Sequence, residues 1–127
     1  GGVIYPELHY GRDALVGIAL FLTHLAKKSC KCSELRASFP EYFISKNKIN
    51  LPDKKIVKSL FAAITKKYAK YDINKTDGVK IDFPDGWVHL RTSNTEPIIR
   101  IYAESNSEKK SANYAEMIKS DLLKFIK

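Results

Sequence analysis

Cysteine is scarce in this chain: there are two, Cys30 and Cys32, separated by one residue. A disulfide framework uses more of them at wider spacing, so the chain reads as a soluble intracellular protein with free thiols. Long hydrophobic runs are also lacking. The longest, Ala14 to Leu22, falls far short of the roughly 18 residues needed to cross a bilayer and reads as a buried helix. No secretory signal is visible, and there is neither an internal repeat nor a low-complexity segment. Acidic residues are in deficit, 14 Asp and Glu against 22 Lys and Arg, for a net charge of +8. That excess predicts attraction to anions without naming them; nucleic acid, anionic lipid and phosphorylated metabolites all fit. The opening Gly1-Gly2-Val3-Ile4 has no initiating Met and no strand or helix signal, like a chain entered in mid-loop, so we expect a piece of a larger protein.

What is present is the material of a globular domain. Hydrophobic residues make up 44%, charged residues 28%, and seven Tyr, six Phe and one Trp can furnish a core. Residues 1–11 read as a loop. Asp13 caps a helix that runs through the apolar stretch to Lys27-Lys28; being apolar nearly all round, it needs partners on most sides, and His24 within it is expected in the core. Ser33 to Arg36 opens a short helical turn that Pro40 stops. Tyr42 to Leu51 reads as a strand, and Asp53 caps a helix whose Ile56, Val57, Leu60, Phe61, Ile64 and Tyr68 form one stripe. Lysines 54–70 lie between them as a solvated face. After Tyr71 the period changes to two: Val79, Ile81 and Phe83 form one strand, Pro84-Asp85-Gly86 a turn, and Trp87 to Leu90 the returning strand. Trp87 is expected in core or edge packing and His89 on the outer face. Ile98 to Glu104 is a further strand, with Ile99, Ile101 and Ala103 opposite Arg100, Tyr102 and Glu104. Ser105 to Glu108 has the spacing of a capping box ahead of a helix with Ala115, Ile118, Leu122 and Phe125 on one stripe. The pattern predicts an α+β fold, an antiparallel sheet with helices packed on one face. Residues 1–35 belong to a preceding unit, residues 36–127 form the second domain, and a hinge is expected near Arg36 to Glu41.

Chemistry concentrates in Arg91-Thr92-Ser93-Asn94-Thr95-Glu96-Pro97, a loop between two predicted strands, with Arg100 just beyond it. A phosphate needs several converging donors and a planar cation that binds two oxygens at once. Hydroxyls, an amide, backbone N–H groups of a tight turn and flanking arginines would supply them. The same residue types also describe an ordinary polar hairpin loop with its arginines in solvent.

Arg91 to Pro97, followed by Arg100 and Glu104, resembles the phosphate-binding loop of the α-D-phosphohexomutases, which include phosphoglucomutase/phosphomannomutase and phosphoglucosamine mutase. Gly2-Val3-Ile4 through His9-Tyr10-Gly11-Arg12-Asp13 and the apolar helix look like the end of that family's third domain. Ser33-Glu34-Leu35 and the strand around Asn47-Lys48-Ile49 resemble the passage into the fourth, a TATA-binding-protein-like domain. The resemblance covers nearly the whole chain. It implies an enzyme that interconverts hexose 1-phosphate and hexose 6-phosphate through a phosphorylated serine in the first domain and Mg²⁺ on aspartates of the second. The fourth domain clamps the phosphate that does not react. Carried over, Arg91, Ser93, Asn94 and Thr95 contact that phosphate and Arg100 assists; His9 and Arg12, in the loop that would border the sugar site, are either sugar-side contacts or simply surface and loop-packing residues.

Departures from the family pattern matter as well. The phosphoserine segment is absent and the chain has no Asp-x-Asp-x-Asp, so no catalytic residue, metal or cofactor is assigned here and the 127-residue chain is expected to be inactive alone. Its partners would be a hexose phosphate and the remaining domains of a cytoplasmic parent enzyme, without nucleic acid or membrane. His24, Cys30 and Cys32 do not have the spacing of a structural zinc site and lack a fourth ligand. The rival class is a basic nucleic-acid-binding module, which would combine a charged groove with stacking aromatics. The basic residues here are instead spread over helices, and no adjacent strands share an aromatic cluster. A purely structural interaction domain would show no response to phosphate.

Overall fold

A computed structural model describes residues 2–126, apart from the side chain of Lys54. The chain divides into two compact units, Gly1–Pro40 and Glu41–Lys127. In the first, helix α1 (Ala14–Lys28) starts on Asp13, whose Oδ1 accepts the Val16 N–H at 3.0 Å. That bond, followed by one with His9, holds the Asp13 carboxyl below its usual pKa. The helix ends at Ser29 in the left-handed conformation (φ 49°), with Lys27 and Lys28 in the last turn favouring the C-terminal dipole. None of its residues is buried: Leu15 is 78% exposed and Ile18 55%. His24 is exposed too, which corrects the expectation of a core histidine; among the described residues of this unit the helix lacks the neighbours its apolar surface calls for. A short helix, α2 (Cys32–Ala37), completes the unit, its entry held by the Lys31 N–H donating to Glu34 Oε2 at 2.9 Å.

The second unit is an α+β layer. Five strands, β1 (Phe43–Asn50), β2 (Asp72–Asn74), β3 (Val79–Phe83), β4 (Gly86–Thr92) and β5 (Ile98–Ser105), form one antiparallel sheet in the order β1-β5-β4-β3-β2. Side chains alternate across a strand, so β3 sends Val79, Ile81 and Phe83 inward, β4 Val88 and Leu90, and β5 Ile99, Ile101 and Ala103. Against them pack Leu60, Ile64 and Tyr68 from helix α3 (Val57–Lys67) and its end, and Ala115, Ile118 and Leu122 from helix α4 (Glu108–Ile126). The Asp53 carboxylate accepts the Lys55 N–H at 2.8 Å and so opens a 3-10 turn (Lys54–Ile56) that leads into α3. Phe125 lies 49% exposed rather than on the buried stripe. Ser105, completely buried on the core side of β5, donates its hydroxyl to the Asp85 carbonyl at 2.7 Å instead of capping α4. It pins the β3–β4 turn, which excludes the capping box read from spacing alone.

Strand β2 has no periodic signature. It holds by register, Ile73 opposite Ile81, and by the turn after it. Gly78 there has φ +79°, and a Cβ would lie 2.0 Å from the Leu90 carbonyl oxygen; only glycine accepts both the angle and the contact.

Candidate phosphate-binding loop

Strands β4 and β5 are joined by residues 93–97, and backbone bonds close that connection tightly. The Ser93 N–H donates to the Ile98 carbonyl at 3.1 Å, and the Ile98 N–H to the Glu96 carbonyl at 2.9 Å. Pro97, which has no N–H to place, offers its carbonyl to the Leu51 N–H at 2.8 Å, tying the loop to the exit of β1. Ser93 is 8% exposed; its Oγ accepts the Glu96 N–H and lies 3.3 Å from Thr95 Oγ1. One of those two hydroxyls donates to the other, so one O–H of the pair remains free to donate outward. Asn94 and Thr95 are exposed, and among the described residues neither of their N–H groups has a protein acceptor. The turn therefore offers two backbone N–H groups, a hydroxyl and the Asn94 amide, a donor-rich concavity suited to an anion.

The two arginines stand on the outer, solvent-facing side of the sheet. Arg91 and Arg100 are register partners across β4 and β5, and both are exposed. Arg91 Nε pairs with Asp77 Oδ2 at 3.2 Å, at side-chain exposures of 55% and 60%. Such a pair adds only about 0–1 kcal/mol to stability, but it restrains the guanidinium and leaves its two Nη groups as donors. Asp77 is itself held by His89, whose Nε2–H donates to the Asp77 carbonyl at 2.5 Å; His89 lies on the outer face, and Trp87 bonds Glu104 Oε1 at 3.0 Å there.

The five loop residues singled out by sequence thus sit on one end of the sheet, yet they do not share one pocket. Ser93 and Asn94 line a cleft of about 400 Å³ with Leu51, Val57 and Lys58 on the helix side. Arg100 lines another, of about 340 Å³, with Lys46, Lys48 and Tyr102 on the open side. Glu96 and Ile98 border both. The sequence pattern does not single out Lys48 or Lys58; strand register and the packing of α3 bring them to the loop.

His9 and Arg12 belong to the first unit. His9 Nδ1 accepts the Gly11 N–H at 2.9 Å, which leaves Nε2–H to donate to Asp13 Oδ2 at 3.0 Å. The histidine thereby closes the loop that delivers the α1 cap. Arg12 runs over Gly2, where a Cβ would lie 2.5 Å from Arg12 Cδ, and borders an open cleft with Gly17 and Phe21. Among the described residues no three His, Cys, Asp or Glu are grouped to hold a metal ion, and no helix is long and apolar enough to cross a membrane.

The sheet layered by helices on one face, with a donor-rich turn at one end, defines an α+β domain, and relatives give it a family. Residues 48–120, more than half of the chain, match the phosphoglucomutase/phosphomannomutase C-terminal domain. A phosphoglucomutase/phosphomannomutase of Thermococcus kodakarensis is 42% identical over 118 residues, 92% of this chain and 26% of the relative. A phosphoglucosamine/phosphogalactosamine mutase of Sulfurisphaera tokodaii is 36% identical, over 94% of the chain and 27% of the relative. The crystal structure of a Burkholderia thailandensis phosphoglucomutase/phosphomannomutase family protein superposes with a TM-score of 0.69 at 22% identity, covering 96% of the chain and 26% of that structure; at that identity it speaks for the fold. The chain belongs to the phosphoglucomutase/phosphomannomutase family and carries its C-terminal domain. It spans about a quarter of the length of the relatives it matches.

Proposed function

We propose that this chain is the phosphate-holding C-terminal part of a phosphohexomutase that interconverts hexose 1-phosphate and hexose 6-phosphate, and that residues 91–97 and Arg100 clamp the phosphate that does not react. The observation that carries the reading is the closed 93–97 turn, with two unpaired N–H groups, a free hydroxyl and the Asn94 amide beside the opposed Arg91 and Arg100. A clamp of this kind performs no bond chemistry. It fixes the sugar phosphate so that the reacting end meets the transferring group in one geometry, which removes much of the entropic barrier. In the parent enzyme His9 and Arg12 would face the sugar, and the other domains would cover the apolar surface of α1, of which Leu15 and Ile18 are exposed here. Magnesium enters this reading only as a constituent of the parent, held by residues outside this chain, in the cytoplasm. A hexosamine phosphate is the alternative substrate, since relatives of both names match at similar coverage and the phosphate clamp is common to both sugars.

Titration of the ¹⁵N-labelled chain tests this. Glucose 1-phosphate and inorganic phosphate should shift the amides of residues 92–97 saturably, plain glucose should not, and Arg91→Ala should abolish the response. The pure chain should show no turnover of glucose 1-phosphate. Equal shifts from glucose, or a salt-sensitive response to single-stranded DNA in place of phosphate, would refute the reading.

A further inference from the structure

We propose that Lys48 is a third cation of the phosphate site, completing with Arg100 and Arg91 a row across three adjacent strands; this rests on the phosphate reading above. The register is direct: Lys48 is the partner of Arg100 in β1–β5, and Arg100 the partner of Arg91 in β5–β4. Partners in antiparallel strands share a face with Cβ atoms about 4.5–5.5 Å apart. The neighbouring Ile49 is buried and Lys48 exposed, so the lysine stands on the outer face with the arginines. All three lie at the end of the sheet that bears the 93–97 loop.

Like charges placed directly opposite each other destabilise a sheet, and the other cations of this face have compensating neighbours. Lys80 pairs with Asp82, Lys46 sits 5.8 Å from the centre of the Tyr102 ring, and Arg91 has Asp77. Among the described residues Arg100 and Lys48 alone of the outer-face cations have neither a carboxylate within 4.0 Å nor a ring beneath them. They are also the two that face each other beside the loop, and both line the 340 Å³ cleft there. Glu96, the carboxylate that borders the cleft, pairs with neither. A phosphate dianion seated on this row relieves the repulsion and receives point-charge contact from the ammonium alongside the planar guanidinium.

The test is a titration of the chain with inorganic phosphate and, separately, glucose 1-phosphate, read on the amides of residues 92–97. Four proteins are compared: unmodified, Lys48→Gln, Lys48→Arg, and Lys109→Gln, which removes the same charge from the exposed start of α4. Lys48→Gln should weaken both phosphates about 3- to 5-fold, the scale of one partly exposed charge contact. Lys48→Arg and Lys109→Gln should stay within about twofold, and unchanged amide spectra away from the loop should show that the fold is kept. Binding undiminished by Lys48→Gln but lost in Arg91→Ala would overturn the role of Lys48 and leave the clamp standing. Equal losses from Lys48→Gln and Lys109→Gln would overturn it as long-range charge alone. No saturable phosphate response in the unmodified chain would overturn both.

Discussion

Removing the Asp121 carboxylate should loosen the helix layer that supports the loop. Asp121 of α4 is 4% exposed; its Oδ2 accepts the Tyr68 hydroxyl at 2.7 Å, and Oδ1 lies 2.5 Å from Lys67 Nζ and 3.5 Å from Lys124 Nζ. In Asp121→Ala the Tyr68 hydroxyl, on a residue 6% exposed, loses its acceptor, at a cost of about 1–3 kcal/mol. Lys67, with a side chain 47% exposed, turns to water and adds at most about 1 kcal/mol. We expect a total near 2–3 kcal/mol and a Tm lower by about 10–20 °C. Tyr68→Phe should cost about 1 kcal/mol, and the double variant less than the two singles together. Urea unfolding followed by the single Trp87, which reports the sheet, measures all three. The pH dependence has a fixed sign. Burial alone would raise the Asp121 pKa, but the bonds from Lys67 and Tyr68 outweigh it and hold the folded value below the 3.8 of a free carboxyl. The contribution is therefore complete above about pH 4 and is lost as pH falls through the folded value, so Asp121→Asn should flatten the acid limb. A cost below about 0.5 kcal/mol for Asp121→Ala, or strictly additive singles, would refute the reasoning.

Three further outcomes follow from local geometry. Gly78→Ala meets both the positive φ of +79° and the Leu90 oxygen at 2.0 Å, so urea unfolding should show a loss of at least about 1–3 kcal/mol. Ser93→Ala removes the acceptor of the Glu96 N–H and should cost about 1 kcal/mol, whereas the exposed Thr95→Ala should stay within about 0.5 kcal/mol while weakening phosphate in the titration above. The hydrogen bond to Asp85 and then partial burial push the Tyr114 phenol up to about 12. Its contribution is full below pH 10 and is lost as pH rises through 12. Ultraviolet titration should place it there, and Asp85→Asn should bring it back toward the ordinary tyrosine value.

The elements legible in the sequence are those whose signal is local. Alternation in Val79-Ile81-Phe83 and Ile99-Ile101-Ala103 gives strands because one face of each is buried against α3 and α4, and the Asp13 cap is readable from one residue and its neighbours. β2 is not legible: its three residues carry no period and are held by pairing with β3. Ser105 misleads for a related reason. Its spacing to Glu108 suits a cap, but its buried hydroxyl serves Asp85, twenty residues away in sequence. His24 and Phe125 follow the helical period and still lie exposed, because a period says which face is apolar and not whether anything covers it.

The same distinction governs the site. Residues 91–97 are contiguous, so the donors of a turn could be read as a string, and the closed backbone bonds give that string its concave shape. Cations contributed by other elements have no such string. Lys48 precedes Arg100 by more than fifty residues, and no spacing along the chain sets it apart from Lys46. What separates them is the register β1-β5-β4: it aligns Lys48 with Arg100 and Arg91 and leaves Lys46 opposite Tyr102. A one-residue slip of β1 would turn Lys48 into the core and expose Ile49, so the burial of Ile49 that drives folding also fixes the charge beside the loop. Electrostatics at this site is in that sense a product of hydrophobic register, and substitutions that loosen β1 should weaken anion binding without touching a single donor.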